Sequence, residues 1–302
     1  MNSTTTSPAP PAGADMPVGT NASAPQARAA ALRVSGVSLA FGCVAALRDV
    51  SLTVAPSEIR AVVGPNGAGK SSLLNVVTGL YRPQAGTVAF EGREFSGVPT
   101  AQLTELGVGR IFQNISLLGG LSVLDNVAAG CNFQACAGLL SRLIGTGRAR
   151  AEARDALDRA RQAIGFFDLD AHADKPAGTL PYGLQKRVEL ARAMVAHPRL
   201  LLLDEPMAGL VRADKEVLAR AIRTLRDGYG TAVVLIEHHV GIVMDLSDRI
   251  MVLDHGRKIA DGTSTEVASN QAVIDAYLRV PHDGKPADDK APRAGRHGIG
   301  AA

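Results

Sequence analysis

Two stretches of the chain have residue types and spacing suited to phosphate chemistry. In "GPNGAGKSS" (64–72) the pattern G-x-x-x-x-G-K-[ST] is met by Gly64, Gly69, Lys70 and Ser71, with Pro65, Asn66, Gly67, Ala68 and Ser72 completing the loop. Gly64, Gly67 and Gly69 let successive backbone N–H groups turn inward around a phosphate chain. A helix starting near Lys70 adds the positive end of its dipole. The Lys70 ammonium can reach the β- and γ-phosphates of a nucleotide, and the Ser71 hydroxyl is placed to ligate Mg2+. In "LLLLDEP" (200–206) an apolar run closes on Asp204 and Glu205. Asp204 stands where a Mg2+-coordinating carboxylate is expected. In an extended backbone Glu205 points the other way, so one acid can orient the metal while its neighbour polarises an attacking water.

A third stretch, "TLPYGLQKRVELARA" (179–193), runs from a Leu-Pro-Tyr-Gly turn into a basic amphipathic helix. The first turn of such a helix leaves N–H groups free and makes an anion site. The phosphates of this chain's own loop are already held by 64–72. Spacing alone leaves open whether 180–185 helps that site or serves another.

These segments need a scaffold. "SEIRAVVG" (57–64), "GTVAFEG" (86–92), "RLLLLDEP" (199–206) and "TAVVLIEHH" (231–239) read as strands. "RIMVLDHGRKIADG" (249–262) reads as a strand and then a hairpin turning at His255-Gly256. "KSSLLNVVTGL" (70–80) has helical spacing. Strands alternating with helices imply an α/β core with a mostly parallel sheet. The stretch 121–177 carries no strand signal and reads as helices, notably 148–167, inserted into that core. Residues 1–30 and 282–302, rich in small and polar residues without periodicity, are expected to be disordered tails around a single folded unit, 31–281.

Composition narrows the function. Aromatics are 4% with no Trp, and the net charge is +3, so neither a stacking platform nor a polyanion-binding surface is expected and nucleic acid is not a partner. Cys43, Cys131 and Cys136 form no even framework and lack zinc-site company, which suits free thiols in a reducing compartment. The N-terminus has no basic and apolar leader pattern and no run spans a bilayer, so a cytoplasmic protein carried to any membrane by a partner is expected.

Taken together the motifs resemble the ATPase subunit of ABC transporters, from about Leu32 to Val280. The resemblance implies a P-loop NTPase core with a mostly parallel sheet, an antiparallel β part and a helical lobe at about 114–178. It puts an adenine-stacking aromatic at Phe41 and a sensor glutamine, also a metal ligand, at Gln113 in "GRIFQN". Leu180–Gln185 matches the family signature, with Tyr182, Gly183 and Gln185 on nucleotide. Asp204 matches the metal-binding carboxylate, Glu205 the catalytic glutamate, and His238 the switch histidine that contacts the γ-phosphate. In this family the signature helix caps the ATP bound by the opposite subunit. Narrower features, Tyr182, Glu237-His238 and the closing "VIDAYL", look like the branched-chain (hydrophobic) amino acid uptake branch. The resemblance implies ATP and Mg2+, a second ATPase subunit, two membrane permeases and an external solute-binding protein, at the cytoplasmic face of the membrane. The competing expectation is a non-transport ABC ATPase in regulation, DNA repair or translation. Such chains usually carry a long coiled coil or tandem halves, and here there is one signature and no extended heptads.

Two positions depart from the family pattern. Pro181 stands where a serine hydroxyl is usual, and Val211 where Asp or Asn is usual across the dimer seam. They imply one weak and one normal ATP site shared with a different partner ATPase.

Overall fold

The computed structural model describes residues 29–131 and 147–278. Cys136, part of the expected helical lobe, residues 1–28 and the whole of 282–302 lie outside the described residues.

The chain opens with a hairpin, β1 (Leu32–Phe41) and β2 (Val44–Val54), and β3 (Ile59–Val63) then runs through the glycine loop into α1 (Lys70–Val77). β4 (Ala85–Phe90) and β5 (Arg93–Phe95) return to the hairpin, and β6 (Val108–Ile111) leads into α2 (Val123–Cys131), α3 (Gly147–Phe166) and α4 (Tyr182–Met194). The remainder alternates: β7 (Leu200–Asp204), α5 (Arg212–Tyr229), β8 (Ala232–Ile236), α6 (Val240–Leu246), β9 (Arg249–Asp254), β10 (Arg257–Gly262), α7 (Ser264–Ala268) and α8 (Gln271–Leu278).

Two sheets result. The larger has the order β10-β9-β3-β8-β7-β6, parallel except for β10. The smaller is antiparallel, β2-β1-β4-β5. β3, β7 and β8 are buried along their whole length, as strands covered on both faces must be. Their alternation feeds two cores. Leu201, Leu203, Val233 and Leu235 pack with Val188 of α4, Phe167 and the α5 residues Leu218, Ile222 and Leu225. Leu200, Leu202, Val234 and Ile236 pack with Leu73 and Leu74 of α1 and with β1 and β2. Each fully buried aliphatic side chain contributes about 1.5–3 kcal/mol. The strand ends that carry the chemistry are therefore pinned on both faces.

The β9–β10 turn falls at His255-Gly256, both left-handed (φ 46° and 75°), as a two-residue type I′ turn requires. α5 is capped unequally. Its C-terminal end closes on Gly230 at φ 69°, while Val211 at the N-cap offers no side-chain acceptor. Val211 is 66% exposed, so replacing it loses little packing. Val211→Asn is expected to add about 1 kcal/mol through a bond to a first-turn N–H. The melting midpoint should rise by about 2–4 °C, and differential scanning calorimetry would show it. An unchanged or lower midpoint would mean that α5 does not need the cap.

Candidate active site

The glycine loop joins β3 to α1 through Gly64 (φ 152°), Gly67 (φ 79°) and Gly69 (φ 103°). Two of them are required by crowding as well as by backbone angle. A Cβ on Gly64 would stand 2.1 Å from the Leu253 carbonyl oxygen, and one on Gly69 would stand 2.5 Å from that of Ala46. Around Gly67 the space is open, so its demand is conformational alone. The loop is thus wedged between the end of β9 and β2, and the turn between β9 and β10 secures it: Gly256 N–H donates to Ala68 O at 3.0 Å and Arg48 N–H to Gly256 O at 2.7 Å.

Lys70 lies in this loop with its Nζ donating to the carbonyls of Gly64 (2.8 Å) and Pro65 (3.0 Å). Burial lowers its pKa, against the upward pull of Glu205 and Asp204. An ammonium so desolvated gains more from a polyanion than one in water. Ser71 follows at the start of α1 and is exposed, while Ser72 is half-buried. Asn66 is exposed and Pro65 half-buried on the outer side of the loop. Phe41, at the end of β1, is 48% exposed, and its ring meets that of Tyr81 edge-on at 5.1 Å. Tyr81 carried no sequence signal of its own.

Asp204 ends β7, nearly buried. Burial raises its pKa, and Arg110 and Lys70 pull it back down. Arg110 of β6 is the residue that the motifs did not reveal. Its Nη2 stands 3.4 Å from Asp204 Oδ2, and its Nη1 donates to Asn75 Oδ1 (2.9 Å) on α1 and to Oγ1 of the C-cap Thr78 (2.8 Å). The guanidinium lies 4.4 Å from the centre of the Phe112 ring. One side chain thereby joins the helix after the glycine loop to the carboxylate at the end of β7. A basic residue inside the short apolar stretch "VGRIF" (108–112), three before Gln113, was the available signal.

Glu205 corrects one expectation. It is not extended: its backbone is left-handed (φ 50°), so its direction does not follow from strand alternation. The Glu205 N–H still donates to Ile236 O (3.0 Å) of the neighbouring β8, the last rung of the parallel ladder, and the backbone leaves the strand at this residue. That turn carries the carboxylate to two other sequence candidates. Its Oε2 accepts from Gln113 Nε2 at 3.1 Å, and its Oε1 lies 2.6 Å from His238 Nε2. His238 therefore has a carboxylate partner within hydrogen-bond distance. Beneath them, Glu237 is buried and accepts from the Met207 N–H (2.8 Å) and the His238 N–H (3.2 Å), tying the loop after Glu205 to the loop after β8. Burial pushes its carboxyl pKa up.

At the start of α4, Pro181 is the N-cap and provides no side-chain acceptor. Gln185 N–H donates to Pro181 O (3.0 Å), and the Gln185 side chain turns back to Leu180 O (2.7 Å). Gly183 faces α5: a Cβ there would stand 2.2 Å from Asp214 Oδ2, and Arg187 holds that carboxylate at 2.7 Å. Tyr182 is 45% exposed, its ring beside Gly209. The uncapped N-termini of α4 and α5 thus sit together, with first-turn N–H groups available to an anion.

Ser71, Gln113 and Asp204 offer hard oxygen donors, one carboxylate among them. This set fits Mg2+, which keeps phosphates and waters among its ligands, better than a metal that needs an all-protein cage. Among the described residues no group of three or more His, Cys, Asp and Glu could hold a metal by itself.

The ABC transporter family profile matches residues 47–208, more than half of the chain. The chain belongs to the ABC transporter family. A second profile, the branched-chain amino acid ATP-binding cassette transporter, matches residues 257–278 of this ABC subunit, from β10 to α8. It is 40% identical over 247 residues to the high-affinity branched-chain amino acid transport ATP-binding protein LivG of Salmonella typhimurium, covering 82% of this chain and 97% of that one. To BraF of Pseudomonas aeruginosa, of the same description, it is 37% identical with the same coverage. Among solved structures it is similar to the ADP conformation of an ATP-binding cassette of an ABC transporter, at TM-score 0.70 and 29% identity over 83% of this chain and 99% of that one. As an ABC ATPase the chain binds nucleotide. No described helix is long and apolar enough to cross a membrane. Among the described residues the cysteines are Cys43, exposed, and Cys131, buried, both free.

Proposed function

We propose that this chain is the ATP-hydrolysing subunit of an importer for branched-chain amino acids or similar small polar solutes, working at the cytoplasmic face of the membrane. The observation that carries the catalytic reading is the junction of Gln113, Glu205 and His238 on one carboxylate. The relatives' printed function and the match over residues 257–278 support the solute class.

In this reading Phe41 stacks on adenine, and the backbone of 64–72 with Lys70 cradles the phosphates. Ser71, Asp204 and Gln113 would hold Mg2+, which when bound neutralises charge on the β- and γ-phosphate oxygens. Glu205 accepts the proton of a water aimed at the γ-phosphorus. His238, on the same carboxylate, contacts the γ-phosphate and holds that acid in place. Arg110 keeps Asp204 oriented from α1. The N–H groups at the start of α4 face the phosphates of a second ATPase subunit, which supplies the mirror-image half of the pocket.

A cleft of about 380 Å3 opens beside Gln113, lined by Arg110, Phe112, Ser116, Glu189 and Arg192 between β6 and the helical segment. It is the contact by which closure reaches two permeases, with an external binding protein delivering the solute. Pro181 and Val211 weaken the half-site this subunit gives its mate, so a mixed pair with another ATPase is the working form. In proteoliposomes holding the permeases and both ATPases, labelled leucine uptake should require this chain. Uptake that persists without it would overturn the reading. A purified homodimer turning over as fast as the mixed pair would refute the unequal-site part.

A further inference from the structure

A second cavity, of about 350 Å3, lies behind the switch, between α6, the adjacent strands β3 and β9 and the C-terminal helices α7 and α8. Its volume falls within the range of small-molecule sites. Val63, Val243, Ile250 and Val267 form buried aliphatic walls, and Val240 (53% exposed) and Ile274 (38% exposed) also line it. One acid lines it: Glu237, 2% exposed. Its carboxylate accepts the two backbone N–H bonds described above, yet among the described residues no lysine or arginine forms an ion pair with it. Burial disfavours the charged form of this carboxyl, the two N–H groups and His239 offset only part of that, and a cation would offset more. Aliphatic walls around it select a partner that is an alkyl group with a positive head.

We infer that this cavity binds a small branched aliphatic ammonium compound, its alkyl group on the valine walls and its ammonium on Glu237. The inference rests on the proposed role of His238, because Glu237 also holds the His238 and Met207 N–H groups. A cation competing for that carboxylate slackens both, so occupancy lowers ATP turnover. The chemistry is shared by free aliphatic amines and by branched-chain amino acids, whose ammonium and side chain would enter together.

Calorimetric titration of the full-length protein without nucleotide separates this from the catalytic reading. 3-Methylbutylamine should bind saturably at one site and at least tenfold tighter than 3-methylbutan-1-ol, the neutral compound of the same skeleton. Glu237→Gln should bring the two within about threefold, with ATP binding measured in parallel to show that the variant is folded. Val243→Met, which narrows the cavity with a flexible side chain, should weaken both. Equal affinity of amine and alcohol for the native protein, or no binding of either, overturns the inference. So does amine binding that appears only after removal of residues 279–302, since the cavity would then belong to the chain's own terminus. Displacement of the amine by L-leucine would identify amino acids as the source, and retained amine binding without displacement would assign the site to free amines. Either result supports the ammonium site.

Discussion

Glu205→Gln is expected to lower steady-state ATP turnover by about 10²–10⁴-fold, the usual contribution of a positioned general base, while nucleotide affinity changes little. Glutamine preserves the size of the side chain and can still meet Gln113 and His238. It cannot take a proton. The turn that carries residue 205 is held by its backbone bond to Ile236 and is indifferent to the substitution. The variant should therefore bind ATP, close with its mate and remain closed. Phosphate release measured beside equilibrium binding of a fluorescent ATP analogue would show the split. Turnover within threefold of the native rate would mean that another group activates the water.

Lys70→Ala should produce the opposite pattern, with binding lost first. The ammonium is the charged side chain of the glycine loop, and bonds to charged groups contribute about 1.5–3 kcal/mol each. Loss of two such bonds to the β- and γ-phosphates predicts nucleotide affinity weaker by at least about 10²-fold. Burial already disfavours the charged form of Lys70, so removing it relieves a desolvation cost in the nucleotide-free protein. Alanine also gives up the bonds to Gly64 and Pro65. The melting midpoint without nucleotide should hence move little, whereas the stabilisation normally produced by saturating ATP should disappear. Thermal melts with and without ATP would show both effects. A native-sized shift with ATP would place the phosphates elsewhere.

Much of the site was readable because its parts are short and local. Residues 64–72 form a loop whose glycine angles are properties of three neighbouring backbone positions, and the helix that follows needs no distant partner to begin. The apolar run before Asp204 announces a strand buried on both faces. The resemblance then supplied Phe41, Gln113 and His238, which no local rule would have singled out, and gave Tyr182, Gly183 and Gln185 a nucleotide in place of the unspecified anion that their helix start implied.

What escaped depended on elements far apart in the chain. Arg110 reads as an ordinary basic residue until β6 is laid beside β7, which puts its guanidinium between Asp204, 94 positions downstream, and Asn75 and Thr78, 35 and 32 positions upstream. Glu205 was expected to alternate along an extended strand, but the β7–β8 ladder ends at this residue and its backbone is left-handed. Glu237 entered the sequence reading only as a feature of the family branch, and folding buries it beneath His238.

Residue order by itself determined the glycine loop, the buried strands, the hairpin turn at His255-Gly256 and the chemical types present, since each follows from backbone angles, periodicity or side-chain chemistry within a few residues. Tertiary structure decided which carboxylate meets which partner: Asp204 with Arg110, Glu205 with Gln113 and His238, and Glu237 with two backbone N–H groups in an aliphatic pocket. Those pairings join segments brought together only by the strand order β3-β8-β7-β6, and electrostatic strength depends on that burial and distance rather than on position along the chain.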